Sequence, residues 1–153
     1  MTTFNFQFQR LLELKENEKS IAQSQMAHAI RQQETGKRHQ EAIHSKIQDA
    51  ERLKKEKQQG GVHISELRSL VNYIQQLQEQ LVSYNRELDR LDHDVSTKQH
   101  QLNRKAQEEK TWEHMKQQKK ALFEEQRKAE EQNFFDELAS TRFYRSSRAG
   151  SGE

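Results

Sequence analysis

The side chains in this chain that could do chemistry are seven histidines, His28, His39, His44, His63, His93, His100 and His114, and several paired carboxylates. A helical zinc site needs ligands at i and i+4, or a cluster that converges on one ion. The histidines form no HExxH and no i,i+4 pair, so they read as polar residues of helix surfaces. Glu108 with Glu109 and Glu130 with Glu131 lie in runs of mixed charge, where nothing desolvates one carboxyl into an acid beside a base. There is no Walker loop, no GxGxxG and no nucleophile elbow. The sequence therefore assigns no catalytic residue, no metal ligand and no cofactor site. What remains chemically distinctive is aromatic and apolar: Phe4, Phe6 and Phe8, Tyr73 and Tyr84, Trp112, and a group from Leu122 to Tyr144. Side chains of this kind recognise partners rather than transform substrates.

The element that must carry them is a heptad. Leu67, Leu70, Ile74, Leu77, Leu81, Tyr84, Leu88, Leu91, Val95, Lys98 and Leu102 step alternately by three and four, broken only at Lys98. Such a seam runs along one side of a helix and requires a partner helix. With 31% apolar and 33% charged residues and a mean hydropathy of -1.26, the 153-residue chain has too little material for a thick core, which favours an elongated molecule. Proline is absent and glycines number five, so little interrupts helix. Lys and Arg number 26 against 24 Asp and Glu, a net charge of +2 spread as a mixed-sign surface rather than a nucleic-acid footprint. Lys54, Lys55 and Lys57 are the main basic run outside the C-terminus and read as a solvated face. No cysteine offers a disulfide framework, and no apolar run approaches the ~20 residues of a membrane span. Asn5, Gln7, Gln9, Arg10 and Glu13 interrupt the first residues, so they lack a signal peptide's apolar region.

In order along the chain, Phe4, Phe6 and Phe8 alternate with polar residues like a strand, but with no strand to pair they read as a lead-in lying on the coiled coil. Helix 1 is expected over about residues 6–58, a turn over about 59–62 at Gly60 and Gly61, helix 2 over about 63–139, and a basic flexible tail over about 140–153, all in one elongated domain. Ser65 is expected as a first-turn or cap residue of helix 2. The thinner stripe of helix 1 runs Phe8, Leu12, Lys15, Lys19, Ala22, Met26, Ala29, Gln33, Gly36, Gln40, Ile43, Ile47, Ala50, with a second register at Leu11, Leu14 and Ile21. Its small and polar positions predict close but weak packing and a more mobile helix near residues 31–40. The fold class is therefore all-α, two long helices forming an antiparallel coiled-coil hairpin whose second helix overhangs the first. Equal rise on both arms pairs residues whose numbers sum to roughly 122. This brings Leu12 near Lys110 and Phe8 near Trp112 and His114, and gathers the N-terminal phenylalanines with Met115, Leu122 and Phe123 at the open end. Beyond about residue 118 helix 2 is unpaired, and Phe134, Phe135, Leu138, Phe143 and Tyr144 on it suggest docking. Tyr73 falls beside the seam at a g position and is expected to be partly exposed.

The chain resembles the flagellar export protein FliJ family, through the block Phe6-Gln-Phe-Gln-Arg-Leu-Leu-Glu-Leu-Lys-Glu16, the diglycine break and the segment Leu67-Arg-Ser-Leu-Val-Asn-Tyr-Ile-Gln-Gln-Leu77. The resemblance implies a cytoplasmic coiled-coil hairpin of the type III export apparatus, peripheral at the inner membrane of the flagellar base. Its implied partners are the hexameric export ATPase, which it would enter like a central stalk, the cytoplasmic region of the export gate and export chaperones. The family's gate-contact stripe maps to Tyr73, Leu77, Gln80 and Tyr84. Given the stalk role that the resemblance implies, the open end is the part expected to meet the ATPase, through Phe4, Phe6, Phe8, Leu11, Leu12, Trp112, Leu122 and Phe123. The hairpin reading expects a monomer without cofactor or nucleic acid. The alternative is a homodimeric structural coiled coil, paired in parallel through Leu67–Leu102; a third reading, a basic RNA or membrane-surface binder, predicts steep salt dependence.

Overall fold

A computed structural model describes residues 2–152 and contains two helices, α1 (Gln9–Gly60) and α2 (Ile64–Gly150), with no strand among the described residues. The first seven described residues are not helical, and the alternating phenylalanines form no strand. Their chain turns into α1 through the Gln9 N–H, which donates to Phe6 O at 3.1 Å. Helix α1 ends at the diglycine. Gly61 has φ 69°, the left-handed conformation that terminates helices and that only glycine adopts without cost. His63 then starts α2, its carbonyl accepting from Glu66 and Leu67 N–H at 3.1 and 3.3 Å, which leaves Ser65 inside the first turn.

The end of α2 departs from expectation. The stretch 140–150, expected as a flexible tail, is helical to Gly150. Without proline, and with Arg142, Arg145 and Arg148 among good helix formers, nothing in it stops a helix, and Arg148 in the last turn suits the dipole. Ser146, Ser147 and Ser151 fold their hydroxyls back onto Phe143, Tyr144 and Arg148 carbonyls at 2.9 to 3.2 Å. Glycines and serines in sequence suggested fraying; their local hydrogen bonds accompany helix here.

Contacts group the chain into two compact units, one of residues 17–106 and one joining the residues up to Glu16 with those from Gln107 onward. In the first, α1 and α2 run antiparallel, as Lys57 with Glu66, Gln40 with Asn85, Gln33 with Asp92 and Glu18 with Lys105 show. The numbers of these pairs add to 123 or 125, close to the expected reflection. The buried stripe consists of Ala22, Ala29, Ile43, Ile47 and Ala50 facing Ile74, Leu77, Leu88 and Leu91, so α1 fills the α2 seam from within the same chain. Near the diglycine large meets large: Ile43, Ile47 and Leu77 form a cluster on which Leu81 and Tyr84 pack. Farther along, α1 supplies small residues and the backbones approach. Gly36 is buried, and a Cβ there would lie 2.9 Å from Leu91 Cδ1 and 3.0 Å from Leu88 Cδ2. The glycine that suggested mobility is thus the place where α2 leucines fill the space a side chain would need. The alternative register is not the core one, since Leu14 and Ile21 are exposed.

Candidate partner-binding surfaces

Two sets of side chains stand out, one in each unit. The first lies where the N-terminal segment meets α2. Phe6 and Leu12 are 6% and 1% exposed and anchor the segment by burial, each contributing of order 1.5–3 kcal/mol. Around these anchors sits an aromatic layer. Phe8, 39% exposed, packs on Trp112 with ring centroids 5.4 Å apart, and Phe4 packs on Phe123 at 5.6 Å. Phe6 meets Phe8 edge-on at 6.0 Å. Such pairs add roughly 0.5–1.5 kcal/mol each beyond area burial, and they hold the outer rings in fixed positions. Leu122 projects from the same part of α2 at 53% exposure, while Leu11 is half-buried. One turn inward, Lys15 Nζ bonds Glu108 Oε2 at 3.1 Å across the two helices, a half-buried ion pair that fixes register. The expected open-end residues are therefore brought together, with Phe6 and Leu12 as supports and Phe8, Phe4, Trp112, Phe123 and Leu122 as surface.

The second set is the stripe Tyr73, Leu77, Gln80 and Tyr84 on α2. Helical spacing alone does not give these four one environment. Tyr73 is 46% exposed, consistent with its place beside the seam, and Gln80 is exposed. Leu77, at 4% exposure, belongs to the core cluster with Ile43 and Ile47. Tyr84 is half-buried against that cluster, and its ring lies 5.6 Å from the His39 ring of α1. Sequence reading left His39 as a lone polar residue, yet the reflection rule that pairs Phe8 with Trp112 also sets position 39 opposite Tyr84. On the same side, Arg90 Nε and Nη2 donate to Glu87 Oε2 and Oε1 at 3.0 and 2.5 Å. The hydrogen bond donated by Arg90 holds the Glu87 carboxyl below its usual range, opposed by desolvation and aided to a lesser degree by the guanidinium charge.

Neither set presents a reacting centre. Among the described residues no group of three His, Cys, Asp or Glu converges as a metal site, and no helix is long and apolar enough to cross a membrane. What each of the two surfaces offers is apolar and aromatic area on helices.

The family model for the flagellar FliJ protein matches residues 4–148. The chain belongs to the FliJ family. The Flagellar FliJ protein of Bacillus subtilis (strain 168) is 27% identical over 140 residues, covering 92% of this chain and 95% of that one. No solved structure matches the chain. Both surfaces fall inside the matched range, and membership of the FliJ family makes this protein a component of flagellar export.

Proposed function

We propose that this FliJ-family protein works as a stalk and adaptor of the type III export machine, by binding and coupling rather than by chemistry. The end carrying Phe4, Phe8, Trp112, Leu122 and Phe123 docks on the hexameric export ATPase, with Phe6, Leu11 and Leu12 holding those rings in place. Tyr73 and Gln80, with the accessible edge of Tyr84, contact the cytoplasmic part of the export gate, and Leu77 sets the helix position beneath them. Escort of export chaperones and a place at the cytoplasmic face of the inner membrane follow from the same reading.

The observation that carries the proposal is the preorganised aromatic layer at Phe8 and Trp112. Rings fixed by neighbours and left partly open lose little conformational freedom on binding, which is how hot spots are built. A structural coiled coil that dimerises through Leu67–Leu102 is disfavoured by one finding: α1 already covers Ile74, Leu77, Leu88 and Leu91.

The test is ATP hydrolysis by the export ATPase of the same organism, titrated with the wild-type chain, with Phe8→Ala plus Leu122→Ala, and with Lys57→Glu plus Lys54→Glu near the turn. The expected result is stimulation by wild type and by the turn variant, and at least ~10-fold weaker half-saturation for the open-end variant. Loss of stimulation in the turn variant alone reverses the orientation.

A further inference from the structure

Every residue of α2 from Glu124 to Gly150 is exposed, so this arm has no α1 partner. Stepping by three and four, Glu131, Phe134, Leu138, Thr141, Arg145 and Arg148 follow one seam. Phe134 and Leu138 are 59% and 45% exposed. The seam's charges are sorted, acid at its start and base at its end, whereas the charges elsewhere in the chain are mixed. Arg142, Arg145 and Arg148 have no acidic residue three or four positions earlier, and no carboxylate pairs with them among the described residues. Glu131 has only the exposed Arg127 pair on its own helix, at 3.9 Å, an interaction worth little.

We propose that this arm pairs antiparallel with the same arm of a second copy of the chain. A parallel pair would set Glu131 on Glu131 and Arg145 on Arg145. The antiparallel pair sets Glu131 against Arg148 of the second copy, Phe134 against Arg145 of the second copy and Leu138 against Thr141 of the second copy. Two-fold symmetry makes each contact twice. The guanidinium over the Phe134 ring gains a cation–π contact, and Glu131 with Arg148 gains an interchain ion pair. From 131 to 148 the seam is only about 26 Å long with two large apolar side chains per chain, so the association is weak, reversible and salt-sensitive. It covers the arm while no other partner does. It involves neither Phe8 nor Trp112, and it can fail while the ATPase reading stands.

Sedimentation equilibrium of the full chain tests it, from micromolar to submillimolar concentration at low and high salt. The expected result is the monomer mass at the dilute end, rising toward twice that mass, less steeply in high salt. Arg148→Glu and Glu131→Arg should each weaken self-association at least ~10-fold, and the two together in one chain should restore it, because each copy then offers the reversed pair. Circular dichroism melts should be the same for all four proteins, since the arm lies outside the hairpin core. A monomer mass throughout overturns the proposal and leaves the arm to an acidic partner surface. Self-association that ignores both reversals overturns it equally.

Discussion

Gly36→Ala is the substitution for which the structure gives the sharpest balance. In a free helix the change would stabilise, because alanine is favoured over glycine by about 1 kcal/mol. Here the new Cβ would stand 2.9 Å from Leu91 Cδ1 and 3.0 Å from Leu88 Cδ2. Both leucines are buried, at 6% and 7% exposure, so neither methyl can swing freely into solvent. Overpacking of this kind costs roughly 1–3 kcal/mol, which leaves a net loss of about 1 kcal/mol. For a chain of 153 residues that is a drop of about 2–4 °C in Tm, read from the helical signal in circular dichroism. The sign should reverse in a Leu91→Ala background, where the tighter contact is gone and Leu88 can move into the space: there Gly36→Ala should gain about 1 kcal/mol. An equal effect in both backgrounds, or a gain in the wild type, would refute the claim that the helices meet at Gly36.

Leu77→Ala should cost about 2–4 kcal/mol, and Tyr73→Ala should stay within ~0.5 kcal/mol, in urea unfolding followed by circular dichroism, because Leu77 is core and Tyr73 is not. Leu12→Ala should lower Tm by several degrees while Phe8→Ala plus Leu122→Ala leaves it nearly unchanged, which separates support from surface at the open end. The Glu87 carboxyl, held below its ordinary range by Arg90, should titrate at higher pH in Arg90→Ala, as read by NMR of its side-chain carbon. The sign follows from linkage: any stability this pair supplies is present above the unfolded-state pKa of Glu87 and lost as pH falls through the folded one.

The hairpin was legible because two strong signals agree, a seam of large apolar residues over Leu67–Leu102 and a diglycine at its head. The thin α1 stripe was legible too, since Ala22, Ala29, Ile43, Ile47 and Ala50 are the buried positions. Close packing at the small α1 positions was legible, but periodicity could not single out Gly36 as the position where the α2 leucines press nearest to the α1 backbone. The helical end of α2 was missed for a related reason: glycine and serine weigh against helix in composition, yet the serines bond back to their own helix. At the open end, reflection placed Phe8 beside Trp112, but the three-dimensional packing separates Phe6 and Leu12, which are buried, from Phe8 and Leu122, which are open. The stripe around Tyr73 shows the same limit. Spacing of i, i+4, i+7 and i+11 collects residues on one broad face, and the α1 contacts then divide Tyr73 and Gln80 from Leu77.

The orientation of the hairpin toward the export ATPase is the central claim, and photo-crosslinking tests it most directly. A photoreactive phenylalanine analogue placed at Phe8 or Leu122, and separately at Val62 in the turn, can be activated in motile cells and the products probed for the ATPase. A crosslink to the ATPase is expected from positions 8 and 122 and none from position 62. A crosslink from position 62 alone would contradict it.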